Sequence, residues 1–90
     1  MIKDYKAESG ILKALAHPIR LRMVEGLTCN ECHVDKIVRA LGIPQSTASQ
    51  HLALLKSRGI VEPRKEGVKT CYKVRDPKIV ALIKILGGSV

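Results

Sequence analysis

Two groups of residues in this chain could do chemistry. The first is a set of three cysteines, Cys29, Cys32 and Cys71. Thiolates are soft ligands, suited to Zn(II), Cd(II), Cu(I) or a three-coordinate metalloid such as As(III). Alternatively, the Cys29-x-x-Cys32 pair can join as a disulfide or persulfide under oxidative or sulfide stress, helped by surrounding positive charge that favours thiolate. In a cytoplasmic protein all three are expected to be reduced, so they do not read as a structural disulfide framework. The plainer reading is that they are bystanders.

The second group is the stretch from Pro44 to Arg58. Wound as a helix it sets Ala48, Leu52 and Leu55 on one inward stripe. The opposite face carries Ser46, Ser49, Gln50, Ala53 and Ser57, which are small, mostly polar and uncharged. An ordinary solvated helix displays long charged side chains there. Short hydrogen-bonding groups suit close approach to a polar partner, and the major groove of DNA fits, since Gln pairs with adenine edges and Ser or Thr meets bases or phosphates.

The elements that must position these groups follow from the chain order. A first helix over about 5–15 carries Ile11, Leu12 and Leu15 as its apolar stripe. His17-Pro18 breaks it, and Pro18 opens a second helix whose expected end is Gly26. Residues 28–33 form a turn-rich connector. A third helix, about 34–41, spaces Val34, Ile37, Val38 and Leu41 helically and ends at Gly42. Only Ile43 and Pro44 separate it from the polar helix, the helix-turn-helix arrangement with the second helix as reader. After Gly59, residues 60–65 and 68–74 read as two strands around a Glu66-Gly67 loop, with Pro63 suited to an edge. A basic hairpin in that place is a wing, and Arg64, Lys65 and Lys69 at its tip can lie along phosphates. Asp76-Pro77 caps a last helix, about 77–86, apolar around more of its circumference than one small domain can cover.

Composition agrees. The single 1–90 domain is 46% hydrophobic, with two Tyr and neither Trp nor Phe, so its core is aliphatic. The net charge is +8, and residues 45–75 hold seven Lys or Arg against two Glu, five of the net eight. That footprint fits a polyanion, and nucleic acid better than a membrane surface, because the basic residues sit largely on a hairpin. No apolar run reaches the roughly 18 residues of a membrane span, and nothing reads as a secretory leader, so a cytoplasmic location is expected. No Ser-His-Asp, paired-carboxylate or phosphate-loop pattern is present, and the cysteine pair does not follow a strand in a βαβ unit, so catalysis is not expected.

The order of elements resembles the ArsR/SmtB family of winged-helix repressors. Leu12-Lys13-Ala14-Leu15-Ala16-His17-Pro18-Ile19-Arg20-Leu21-Arg22-Met23 is similar to its opening signature "LkaLadptRLrIL", and Ser46-Thr47-Ala48-Ser49-Gln50-His51-Leu52, with Leu55 and Gly59-Ile60-Val61, to its reader helix and exit. The resemblance spans about 8–86. It implies a mainly α winged helix-turn-helix fold of about five helices. It also implies a homodimer paired through the terminal helices, and a repressor that leaves double-stranded operator DNA when an inducer binds. The DNA-facing candidates are Gln45, Ser46, Thr47, Ser49, Gln50, His51, Lys56, Arg64, Lys65 and Lys69, with His51 in the family a packing and hydrogen-bonding residue. In such folds a short strand often runs from the connector beside the second wing strand. Glu31-Cys32-His33 would then lie next to Thr70-Cys71-Tyr72, bringing the thiols and His33 together. Three features depart from the family pattern. Gln50 stands where Arg is common. Val34 and Asp35 occupy the places where the arsenic-type "ELCVCDL" motif has its cysteines. Residues 77–90 lack the His and acidic ligands of the zinc-type last helix. The competing function is a winged-helix protein-interaction module with a structural cysteine-bound zinc and no inducer response.

Overall fold

Proline and short acidic side chains set the helix starts. Asp4 accepts from the Ala7 N–H at 3.0 Å and opens α1 (Tyr5–Leu15). His17 caps α2 (Pro18–Cys29), its Nδ1 accepting from the Ile19 N–H at 3.1 Å with Pro18 at the first helical position. Asp76 caps α5 (Pro77–Leu86) in the same way, accepting from the Lys78 N–H at 2.9 Å. Between them lie α3 (Val34–Leu41), α4 (Gln45–Ser57) and an antiparallel hairpin of β1 (Glu62–Glu66) and β2 (Lys69–Lys73). This is a computed structural model, and it describes residues 1–30 and 32–88. Among them the expected five helices and wing are all present.

α2 is the central element. Met23, Val24 and Leu27 on its inner face are fully or almost fully buried, and the helix touches α1, α3, α5 and β2. Leu15, Leu52, Leu55, Ile60, Val61, Val74, Ile79 and Ile83 complete an all-aliphatic core around it. The helix runs three residues past its expected end. Gly26 is not a cap but a point of close approach: a Cβ there would lie 2.7 Å from Ile37 Cδ1 of α3. The missing side chain lets two helices meet, a demand that outweighs the weak helix propensity of glycine. Cys29 is therefore the last residue of α2 rather than part of the connector.

The wing also differs in detail. The exit from α4 is a Schellman motif: Gly59, at φ 72°, donates to Lys56 O at 3.0 Å and Ile60 donates to Leu55 O at 3.0 Å. The Ile60 N–H is used in the cap, so Ile60 and Val61 enter the core instead of the ladder and β1 starts at Glu62. The register pairs Glu66 with Lys69, which makes Gly67-Val68 the loop, one residue later than expected, with Gly67 at φ 63° in the first loop position of a tight hairpin turn. The proposed connector strand is not formed at Cys32 or His33, and Glu31 lies outside the described residues; the sheet has two strands among those described.

Two apolar surfaces stay open. Leu12, expected on the inner stripe of α1, is 55% exposed while Leu15 is buried and Ile11 half-buried. α5 turns Ile79 and Ile83 inward but leaves Ile85, 66% exposed, and Leu86 outside, so it is not a helix fully buried within one copy. No described helix is long and apolar enough to cross a membrane.

Candidate nucleic-acid interface and thiol site

The turn that presents α4 is short because α3 ends at Gly42 in the left-handed conformation, φ 66°, and Pro44 forms the N-cap of the next helix with an extended backbone. No side chain caps α4, and its first turn holds no acidic residue. Its outward N–H groups and positive dipole end therefore suit an anion. The expected inward stripe, Ala48, Leu52 and Leu55, is buried. Gln45, Ser46, Ser49, Gln50 and Lys56 are exposed, and Thr47 is half-buried.

His51 stands apart from the other residues expected to face DNA. It is half-buried and turns toward the corner between α1 and α2, where its ring lies 4.8 Å from that of His17. Arg20 Nη1 meets His51 Nδ1 at 3.3 Å, and Arg20 Nε donates to the Ala14 carbonyl. A guanidinium only donates, so Nδ1 of His51 accepts and its ring is neutral with the proton on Nε2. Burial first, then the neighbouring His17 and Arg20, hold the pKa of His51 below its ordinary 6.5. This link fixes α4 against the α1–α2 corner through Arg20, a residue outside the expected DNA-facing set. The signal was there in His17-Pro18-Ile19-Arg20, but nothing in the chain shows that a residue 31 positions earlier reaches His51.

On the wing, Lys65 and Lys69 are exposed near the tip. Arg64 is partly neutralised by Glu66, Nε to Oε1 3.0 Å, and Glu62 of β1 pairs with Arg75.

Between α3, α4 and the wing lies a cleft of about 580 Å³. Gln45, Ser49 and Lys56 of α4 and Lys69 of β2 line it, so four of the expected DNA-facing residues share one concavity. Lys36 and Arg39 of α3, not foreseen from sequence, add two more cations. Cys32 lines it too.

The cysteines correct the expectation of three reduced thiols. Cys32 and Cys71 are joined in a disulfide, Cα to Cα 4.2 Å, across 39 positions of sequence. Cys29, the partner the spacing suggested for Cys32, is an exposed free thiol at the end of α2. The reason is register: Cys71 pairs opposite Arg64, and its side chain, alone on the hairpin, is buried, 1% exposed. The connector brings Cys32 to it, with the Cys32 N–H donating to Asn30 Oδ1 at 3.2 Å. His33 serves as the N-cap residue of α3 without a side-chain cap bond. Among the described residues no three or more His, Cys, Asp or Glu side chains gather as a metal-holding group.

Comparison with known proteins agrees with this architecture. Residues 17–63 match the family described as bacterial regulatory protein, arsR family. The transcriptional repressor PagR of Bacillus anthracis is 34% identical over 80 residues, covering 88% of this chain and 80% of PagR. The structure of HlyU from Vibrio cholerae superposes with a TM-score of 0.87 at 34% identity, over 98% of this chain and 96% of HlyU. The homodimeric winged helix-turn-helix DNA-binding domain of Mb0332 from Mycobacterium bovis does so at 0.79 and 32%, over 92% and 77%. Fold, motif positions and relatives converge, and the chain belongs to the arsR family of bacterial regulatory proteins, as a winged helix-turn-helix transcriptional repressor.

Proposed function

We propose that this repressor acts as a homodimer on double-stranded operator DNA and that an inducer acts through its cysteines. α4 enters the major groove, with Gln45, Ser46, Thr47, Ser49 and Gln50 toward bases and phosphates. Lys56 and the wing cations Arg64, Lys65 and Lys69 follow the backbone, and His51 holds the helix in place from behind. Leu12 on α1 and Ile85 and Leu86 on α5 supply the apolar surface for a second copy, the role assigned to the terminal helices; the homodimeric Mb0332 domain is a precedent.

The observation that carries the regulatory half is the Cys32–Cys71 disulfide, which ties the connector before α3 to the wing beside the reader helix. A bond there has a direct mechanical route to the DNA-reading surface. The donor set favours redox control over a bound As(III), Cd(II) or Zn(II): two sulfurs are spent on each other, and the third, Cys29, is exposed and outside the bond. Regulation needs the two cysteine states to differ in operator affinity, since equal affinity shifts nothing.

The test is fluorescence anisotropy on DNA from the protein's own upstream region, with reduced and disulfide-bonded protein in parallel, then with As(III), Cd(II), Zn(II) or a persulfide donor. A difference of about fivefold or more between redox states, absent in a Cys32→Ala variant, is expected. Indifference to redox state together with release by a metal ion would replace the redox reading with a metal one.

A further inference from the structure

The cleft beside the reader helix has a second property that DNA contact does not use: of the two disulfide cysteines, Cys32 lines it and Cys71 does not. Cys32 is half-buried and lines the cleft, whereas Cys71 is 1% exposed. Among the described residues the rim carries Lys36, Arg39, Lys56 and Lys69 against one carboxylate, Asp35. A concavity of about 580 Å³ is the size of a small-molecule site. We infer that the cleft admits an anionic low-molecular-weight thiol, which opens the disulfide by attacking Cys32. This rests on the reading of that disulfide as the regulatory element and names its reductant.

The exchange is asymmetric. The thiolate of the small molecule attacks Sγ of Cys32; a new S–S bond forms between them, and the Cys32–Cys71 bond breaks. The electron pair leaves on Sγ of Cys71, which takes a proton from water. A second thiolate then attacks the small-molecule sulfur of the mixed disulfide, releasing a small-molecule disulfide and the Cys32 thiolate. Two thiolates are oxidised and one protein disulfide is reduced. Attack at Cys71 is blocked because an incoming nucleophile must reach the sulfur it strikes. The cationic rim concentrates anions in the cleft and repels cations, an effect that fades as salt shortens the screening length.

The experiment uses the oxidised Cys29→Ser protein, so that the exposed free thiol does not confuse adduct assignment. It is reduced with 3-mercaptopropionate, 2-mercaptoethanol and cysteamine, whose attacking thiolates are respectively a dianion, a monoanion and a zwitterion of no net charge, and acid-quenched samples are mapped by peptide mass spectrometry. Rates are expressed per thiolate and divided by those on a small uncharged disulfide, which cancels intrinsic nucleophilicity. At low ionic strength the dianion should outpace the zwitterion by about tenfold, collapsing toward unity at high salt. The early adduct should sit on Cys32 with Cys71 free. A Lys36→Gln/Arg39→Gln variant, altered at two exposed positions, should lose most of the preference. An adduct on Cys71, equal rates for all three thiols, or an unchanged preference in the double variant would overturn the inference. Absence of any Cys32–Cys71 cross-linked peptide in oxidised protein would overturn both this and the redox reading of function. Charge-selective opening that leaves DNA affinity unchanged would overturn only the latter.

Discussion

Reducing the Cys32–Cys71 bond should cost this domain a large part of its stability. The bond closes a ring of 39 sequence positions that contains α3, α4 and β1, the whole helix-turn-helix and the first wing strand. In the chain-entropy treatment a loop of that length removes about 13 cal/mol/K from the unfolded ensemble, or about 4 kcal/mol at 25 °C. A domain of this size has a total stability on the order of 5–13 kcal/mol, so the bond decides whether it is robust or marginal. The expected consequence is a fall in Tm on the order of 15 °C or more. The assay is denaturant and thermal unfolding followed by far-ultraviolet circular dichroism, with and without reductant. It is run at one protein concentration, because association adds its own stabilisation. Cys71→Ala should show the lower stability in both conditions and no response to reductant. Identical midpoints for oxidised and reduced protein, with mass spectrometry confirming the two states, would refute the assignment of the ring as a constraint on the unfolded chain.

Three further perturbations test other links. Gly26→Ala places a methyl group 2.7 Å from Ile37 Cδ1 and should destabilise by about 1 kcal/mol, the overpacking cost exceeding the gain in helix propensity; adding Ile37→Val should recover most of it, and additive effects in a double-mutant cycle would deny the contact. Because burial, His17 and Arg20 hold His51 below its ordinary pKa of 6.5, the unfolded state binds that proton more readily: the contribution is complete above pH 6.5 and is lost as the pH falls below it through the folded value. Stability should therefore be lower at pH 5.5 than at 7.5, and His51→Gln should flatten that slope. Gln50→Ala should relax operator preference, whereas Lys65→Ala should weaken binding to every sequence and reduce the salt slope by about one; uniform loss for Gln50→Ala, measured by anisotropy on operator and scrambled duplexes, would remove it as a base reader.

Periodicity made most of the fold readable, because α1, α2 and α5 begin with a capping side chain, α4 follows a proline, and α4 buries the stripe its spacing predicts. The boundaries that moved are places where tertiary contact overrode a local signal. Gly26 reads as a stop in sequence and is a helix crossing in space. Ile60 and Val61 have strand-forming side chains, but the Ile60 N–H completes the cap of α4. At the site, the polar face of α4 was legible because it departs from the usual charged surface helix. The cysteine pairing was not, since Cys29-x-x-Cys32 is a local pattern whereas the register that buries Cys71 opposite Arg64 is long-range information. The cation rim from α3 was hidden for the same reason: Lys36 and Arg39 are ordinary exposed residues in sequence, and only the fold sets them on the same cleft as the wing.

Under the proposed function, the placement of the disulfide makes reading and sensing a single equilibrium. Ser49 and Lys56, which that function assigns to DNA, and Cys32, which it assigns to redox exchange, line the same cleft. A phosphate backbone and an anionic thiol would compete for the same cations, so bound DNA should shield the disulfide from small anions kinetically. The thermodynamic link is separate and must be reciprocal: if the two redox states differ fivefold in operator affinity, saturating operator shifts the reduction potential of the disulfide by about 20 mV in favour of the tighter-binding state. Redox titration against a thiol–disulfide buffer, with and without operator duplex at fixed salt, separates the two effects, since shielding slows the approach to equilibrium but leaves the midpoint in place. A midpoint unmoved by DNA, found together with different anisotropy affinities for the two states, would violate the linkage and show that one of the two populations was wrongly identified.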